Sequence, residues 1–173
     1  FVTRRWPDAA EEALKQHFRP TLNEGDVPLT ATQIADGFAS HDALAPTVSD
    51  QITSDIIDAG AAGSGRLIAN FGVGINHIDL DAARSAGLAV SNTPGVLTDA
   101  TADLALALML MVSRRAGEGE RELRAGEWHG WRPTHLMGRS LSGKTLGIIG
   151  MGRIGKAVAY RAALGFGMKI IFF

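Results

Sequence analysis

An α/β fold with parallel sheets is what this sequence predicts, on three observations. Short apolar or β-rich runs alternate with helix-period segments through residues 1–96. A second succession of strand, glycine loop, helix and strand occupies residues 145–173. The composition, 46% hydrophobic and 20% charged over 173 residues, is that of a globular chain able to bury a core.

The first strand candidate is Phe1 to Thr3. Pro7 to Phe18 then places Ala10, Leu14 and Phe18 on one face at helical spacing, and Thr30 to Phe38 repeats the helical pattern. Leu44 to Val48 reads as a strand, Thr53 to Ala62 as a helix, Leu67 to Phe71 as a strand, Leu80 to Ala86 as a helix and Leu88 to Ser91 as a strand. Helices lying between apolar strands predict right-handed crossovers onto a doubly wound parallel sheet.

Asn92-Thr-Pro-Gly95 is turn chemistry, so a first domain is expected over 1–96 and a second over 97–173. Thr98 with Asp99 suits the cap of a long helix running from about Asp99 to Arg115. Gly117 to Gly143 mixes charges with Trp128, Trp131, Pro133, His135 and Met137 and breaks the strand and helix rhythm. Exposed aromatics on an irregular segment favour a subunit-contacting arm, the alternative being a loop packed on its own domain.

Thr145 to Ile149 is an apolar run that meets Gly150-Met-Gly152-Arg-Ile-Gly155, and a second run follows from Met168 to Phe173. Twenty-one glycines produce accidental spacings, but here a strand precedes the motif and a helix follows it, as dinucleotide binding requires. Gly150 permits the tight turn, Gly152 lets a pyrophosphate approach the backbone, and Gly155 lets the helix pack on the sheet. Ile154, Ala157, Val158 and Ala162 give that helix its apolar face.

Gly138 to Thr145 also matches the phosphate-loop pattern GxxxxGK[ST]. A working loop of that kind follows a strand and opens a helix, whereas this one follows the Trp-containing arm and leads into a strand. Triphosphate hydrolysis is therefore disfavoured; it would require Mg-dependent activity lost on Lys144→Ala.

With a net charge of −1 and scattered Lys and Arg, nothing marks a nucleic-acid or anionic-membrane surface. Having no cysteine, the chain forms no disulfide or thiolate metal site, which fits a reducing cytosol, and no metal is expected. The longest apolar run, Leu104 to Val112, is too short to span a bilayer, and no signal-peptide pattern opens the sequence. A soluble, cytoplasmic protein with a small-molecule partner is expected.

Three segments resemble the D-isomer-specific 2-hydroxyacid dehydrogenases, and within them the glyoxylate/hydroxypyruvate reductases. They are Phe71-Gly-Val-Gly-Ile-Asn-His-Ile-Asp79, Ser91 to Asp103, and Leu141 to Gly155. The resemblance implies a flavodoxin-like substrate domain followed by the start of a Rossmann dinucleotide-binding domain, covering roughly the first half of a family member. It implies a homodimer and hydride transfer between NAD or NADP and a small 2-oxo acid. Backbone N–H groups of Val73 and Gly74 would face the substrate carboxylate, with Val73 also toward the nicotinamide. Thr98 would lie near the nicotinamide end, and Arg153 and Ile154, with Gly150, Gly152 and Gly155, would meet the pyrophosphate. Val73 and Gly74 also suit a plain strand-to-helix turn, and Thr98 a plain helix cap.

The family's proton-donating His, the carboxylate that holds it and the substrate-gripping Arg lie downstream of the cofactor motif. The five His here, at 17, 41, 77, 129 and 135, all precede it, so no catalytic residue is assigned and the chain alone is expected to be inactive. His77 reads as a residue at the mouth of the next helix, with Asp79 as cap. His135 holds the arm position from which, in the resembling reductases, a side chain reaches the neighbouring subunit's site. The residue that discriminates NAD from NADP falls about twenty positions past the glycines, where Phe173 ends the sequence. An alternative on the same scaffold is an NAD-binding corepressor-like protein without significant turnover.

Overall fold

Apolar segments pair only in parallel in the computed structural model, which describes all residues 1–173. They belong to two units, Phe1–Pro94 and Gly95–Phe173.

In the first unit, α1 (Asp8–His17) and α2 (Ala31–Ala39) precede β1 (Ala43–Leu44). There follow α3 (Ser54–Ala62), β2 (Leu67–Ala69), α4 (Leu80–Ser85) and β3 (Ala89–Ser91). The sheet order is β1-β2-β3, with Leu44 beside Ile68 and Ile68 beside Val90. Val2 adds a parallel bridge to Ala45 on the outer edge. The strand expected over Leu44 to Val48 is shorter because Pro46 has no N–H to continue the ladder. Its carbonyl still accepts the Phe71 N–H at 2.8 Å, and a Thr47 to Phe71 bridge resumes the pairing.

Leu44 and Ile68 are wholly buried with Phe38, Ile56 and Ile57, so one face of the sheet forms the core with α2 and α3. A capping box starts α2: Thr30 Oγ1 accepts the Gln33 N–H, and the Gln33 side chain accepts the Thr30 N–H. The apolar face expected of α1 is corrected. Phe18 lies outside the helix and is exposed, and the buried position is Glu11. Its carboxylate accepts Arg5 Nε–H at 2.7 Å and the Trp6 N–H at 2.9 Å, so a charged anchor replaces the apolar contact.

The second unit comprises α5 (Thr98–Ser113), α6 (Ala116–Arg124), β4 (Thr145–Ile148), α7 (Arg153–Phe166) and β5 (Lys169–Phe172). Strands β4 and β5 pair in parallel, Leu146 beside Ile170, with α7 as the crossover. Leu106, Ala162 and Met168 form the core beneath it. Gly167, at φ +60°, ends α7 in the left-handed conformation usual after a helix.

Two expectations change here. The helix expected from Asp99 begins one residue earlier, so Thr98 is helical. Leu97 occupies the cap position, and no side chain caps this end. The segment expected to be irregular over Gly117 to Gly143 begins with α6 despite glycines at 117 and 119. Ion pairs Arg115–Glu118 and Glu120–Arg124, spaced three and four residues apart, support it. Residues 125–144 form neither helix nor strand. No helix is long and apolar enough to cross a membrane.

Candidate active-site segments

The loop after β2 is built around Asn70, which is buried at the end of the strand. Asn70 Nδ2 donates to the Gly72 carbonyl at 3.1 Å and the Gly74 carbonyl at 2.9 Å. Asn92 Nδ2 donates to the Val73 carbonyl at 2.9 Å, and the Thr93 N–H donates to the Gly72 carbonyl at 3.0 Å. All three carbonyls from 72 to 74 thus accept bonds from the protein. A trans peptide directs its N–H opposite its C=O, so the Val73, Gly74 and Ile75 N–H groups face away from those donors. None of the three has a protein acceptor. A Cβ added at Gly74 would meet nothing within 4 Å. Such a row of unpaired amide dipoles suits an anion.

His77 closes the same loop. Both Asn70 amide hydrogens are committed to carbonyls, so Oδ1 is the acceptor in the 3.0 Å contact with His77 Nε2, which fixes the Nε2–H tautomer. Burial pushes the His77 pKa below its ordinary value, opposed by the Asp50 charge. Asp79 Oδ1 accepts the Ala82 N–H at 2.9 Å and caps α4, as the sequence reading has it. In the turn after β1, buried Asp50 accepts Thr3 Oγ1–H at 2.6 Å and the Thr47 N–H at 2.8 Å.

In the second unit the turn between β4 and α7 carries Gly150, Gly152, Arg153, Ile154 and Gly155 together. Gly150 sits at φ +90°, a conformation few other residues adopt, and its N–H is tied to the Phe173 carbonyl at 2.9 Å. A Cβ at Gly155 would overlap the Gly150 carbonyl oxygen, whereas one at Gly152 would enter open space. Gly155 is therefore required by packing, while Gly152 leaves the backbone accessible. The bond from the Lys156 N–H to the Gly152 carbonyl, at 3.0 Å, starts the helical ladder, so the Arg153, Ile154 and Gly155 N–H groups precede it. With no acidic side chain in that first turn, nothing on α7 competes for these donors. The turn fits a dinucleotide pyrophosphate.

Thr98 opens α5. The contact that locates this end of the helix is Asp99 with Arg161, in the second half of α7. His135 Nε2 lies 2.7 Å from Glu122 Oε2, so the arm histidine is engaged within its own chain. Gly138 to Thr145 leads into β4 with the Lys144 N–H bonded to the Leu141 carbonyl, an arrangement unlike a phosphate loop. No group of His, Asp and Glu is arranged to hold a metal.

Asn70, Asn92, Ile75 and Asp50 escaped the sequence reading. Asn70 stands one residue before the glycine loop, and an Asn between an apolar run and a glycine was the available signal.

Residues 106–173 match the family profile described as D-isomer specific 2-hydroxyacid dehydrogenase, NAD binding domain. The glyoxylate reductase of Thermococcus litoralis is 41% identical over 177 residues, covering 100% of this chain and 53% of its own. That of Korarchaeum cryptofilum is 40% identical over 174 residues, covering 100% and 52%. A crystal structure from Polaromonas, described as an NAD-binding D-isomer specific 2-hydroxyacid dehydrogenase, superposes with a TM-score of 0.91 at 44% identity over 99% of this chain and 53% of that one. The chain spans about half the length of the curated relatives it matches. With its parallel α/β units and its glycine turn, the chain is similar to D-isomer-specific 2-hydroxyacid dehydrogenases over about half of their length.

Proposed function

We propose that this chain supplies the carboxylate-binding loop and the dinucleotide-binding turn of an NAD(P)-dependent reductase of small 2-oxo acids, with glyoxylate or hydroxypyruvate as substrate. The observation that carries the reading is the loop at 72–74, whose carbonyls are all bonded inward and whose next three N–H groups lack acceptors. The Val73 and Gly74 amides hold the substrate carboxylate, and as fixed dipoles they need no reordering when it arrives.

Gly150, Gly152 and Gly155 shape the turn on which the Arg153 and Ile154 amides would hold the pyrophosphate. The bound nicotinamide supplies the hydride that reduces the 2-oxo carbon. In this proposal the proton donor, its carboxylate partner and the substrate-gripping Arg come from sequence outside this chain, so residues 1–173 alone do not turn over.

The protein is proposed to be a cytoplasmic homodimer. In support of the dimer, an apolar groove of about 720 Å³ is lined by Leu108, Met109, Val112, Met137 and Leu141, beside an arm with Trp131 exposed.

The test is oxidation of NADH and of NADPH by the full-length protein with glyoxylate and with hydroxypyruvate. Turnover with either acid is expected. Tight NAD(P)H binding without turnover would replace the reductase by the corepressor-like binding protein.

A further inference from the structure

We propose that Asn70 and His77 form a positioning pair that sets the orientation of the amides at 73–75 and so controls affinity for the substrate carboxylate. The inference rests on the carboxylate-binding reading of this loop. Asn70 is 2% exposed, and its amide nitrogen holds two carbonyls, those of Gly72 and Gly74, that flank Val73. Turning either peptide over would point a carbonyl at the anion and leave a buried Asn70 donor without its acceptor.

What keeps the Asn70 amide itself from rotating is His77. Its Nε2–H donates to Oδ1, so a flipped Asn70 would set an NH2 group against the His77 donor and Oδ1 against two carbonyl oxygens. The groups around the pair are few. Asp50 is the charged residue whose field acts on His77. It is itself satisfied by Thr3 and Thr47 and makes no bond to the imidazole. The His77 carbonyl accepts the Ile52 N–H at 2.8 Å, which anchors the histidine backbone to the neighbouring loop. The pair touches neither substrate nor cofactor in this scheme and acts through the backbone alone.

The experiment uses the full-length protein with glyoxylate as probe. Asn70→Asp keeps the shape but sets a carboxylate oxygen against the Gly72 and Gly74 carbonyls. It is expected to raise the glyoxylate KM at least about tenfold while kcat at saturation and the NAD(P)H Kd move less than about threefold. His77→Phe should shift KM in the same direction. His77→Gln, which keeps a donor near the Nε2 position, should restore it to within about threefold of the parent.

An unchanged KM in Asn70→Asp, or His77→Gln no better than His77→Phe, overturns the proposal. Hydrogen exchange at the Thr93 N–H, which bonds the Gly72 carbonyl, separates this failure from that of the functional reading. If the parent does not reduce glyoxylate, the reductase reading falls. In that case Thr93 exchange at least about tenfold faster in Asn70→Asp still supports the clamp, and equal exchange overturns it.

Discussion

Arg161 on α7 bridges two carboxylates on α5: its Nε lies 2.6 Å from Asp103 Oδ1 and its Nη2 2.9 Å from Asp99 Oδ1. Those acids stand one helical turn apart, so a single guanidinium sets the register of the two helices. Both carboxylates are largely exposed, which screens the pairing. Arg161→Ala should therefore lower the melting temperature only slightly, and the deficit should shrink at high salt. Phe38→Ala, at a wholly buried ring, should cost about 3–5 kcal/mol irrespective of salt. Thermal melts of both variants at low and high ionic strength would check the contrast; an Arg161→Ala deficit unmoved by salt would assign its effect to the packing of the side-chain stem.

The glycine turn yields a second contrast. Gly152→Val projects into open space, so the melting temperature should hold while NAD(P)H affinity falls at least about tenfold. Gly155→Ala meets the Gly150 carbonyl and should cost about 1–3 kcal/mol of stability. Cofactor titration alongside urea unfolding reads both. Unchanged NAD(P)H affinity in Gly152→Val would remove the pyrophosphate assignment.

Acid should destabilise the protein in two separate windows. Burial lowers the His77 pKa from 6.5, so the unfolded chain takes up that proton first. The contribution is complete above about pH 6.5 and is lost as pH falls below it, and His77→Gln should remove this part of the pH dependence. Asp26 is held at about 2 against an ordinary 3.8, by the hydrogen bond from Arg4 and then by the Arg5 N–H. Its contribution is present above 3.8 and fades as pH falls toward about 2, where Asp26→Asn should flatten the curve. Melting temperatures across pH 2 to 8 for the two variants would show whether the windows are distinct.

The parallel α/β order and the glycine turn were legible because their signals are local. An apolar run, a glycine spacing and a helical period lie within residues 145–173, and the strand and helix alternation before residue 96 is equally sequential. The α1 anchor was not, because Glu11 is buried by Arg5 and the Trp6 amide, a polar contact that periodicity counts as solvent-facing. Helix α6 was hidden by Gly117 and Gly119, whose cost is offset by ion pairs that composition does not display. At the loop after β2, Val73 and Gly74 were named from the family resemblance. Asn92, nineteen residues further along, meets Val73 only once β3 lies beside β2.

The anion seat proposed at 73–75 is made of peptide N–H groups and contains no ionisable atom and no side-chain donor. Alanine scanning would pass over it, since replacing Val73 or Ile75 leaves the amides in place. Positions 73–75 would then register as dispensable in a survey that counts only lost side chains, and the loop would show only through Asn70 and His77. Exchanging individual peptide bonds for esters, which deletes an N–H and keeps the side chain, is the chemistry that would reveal it.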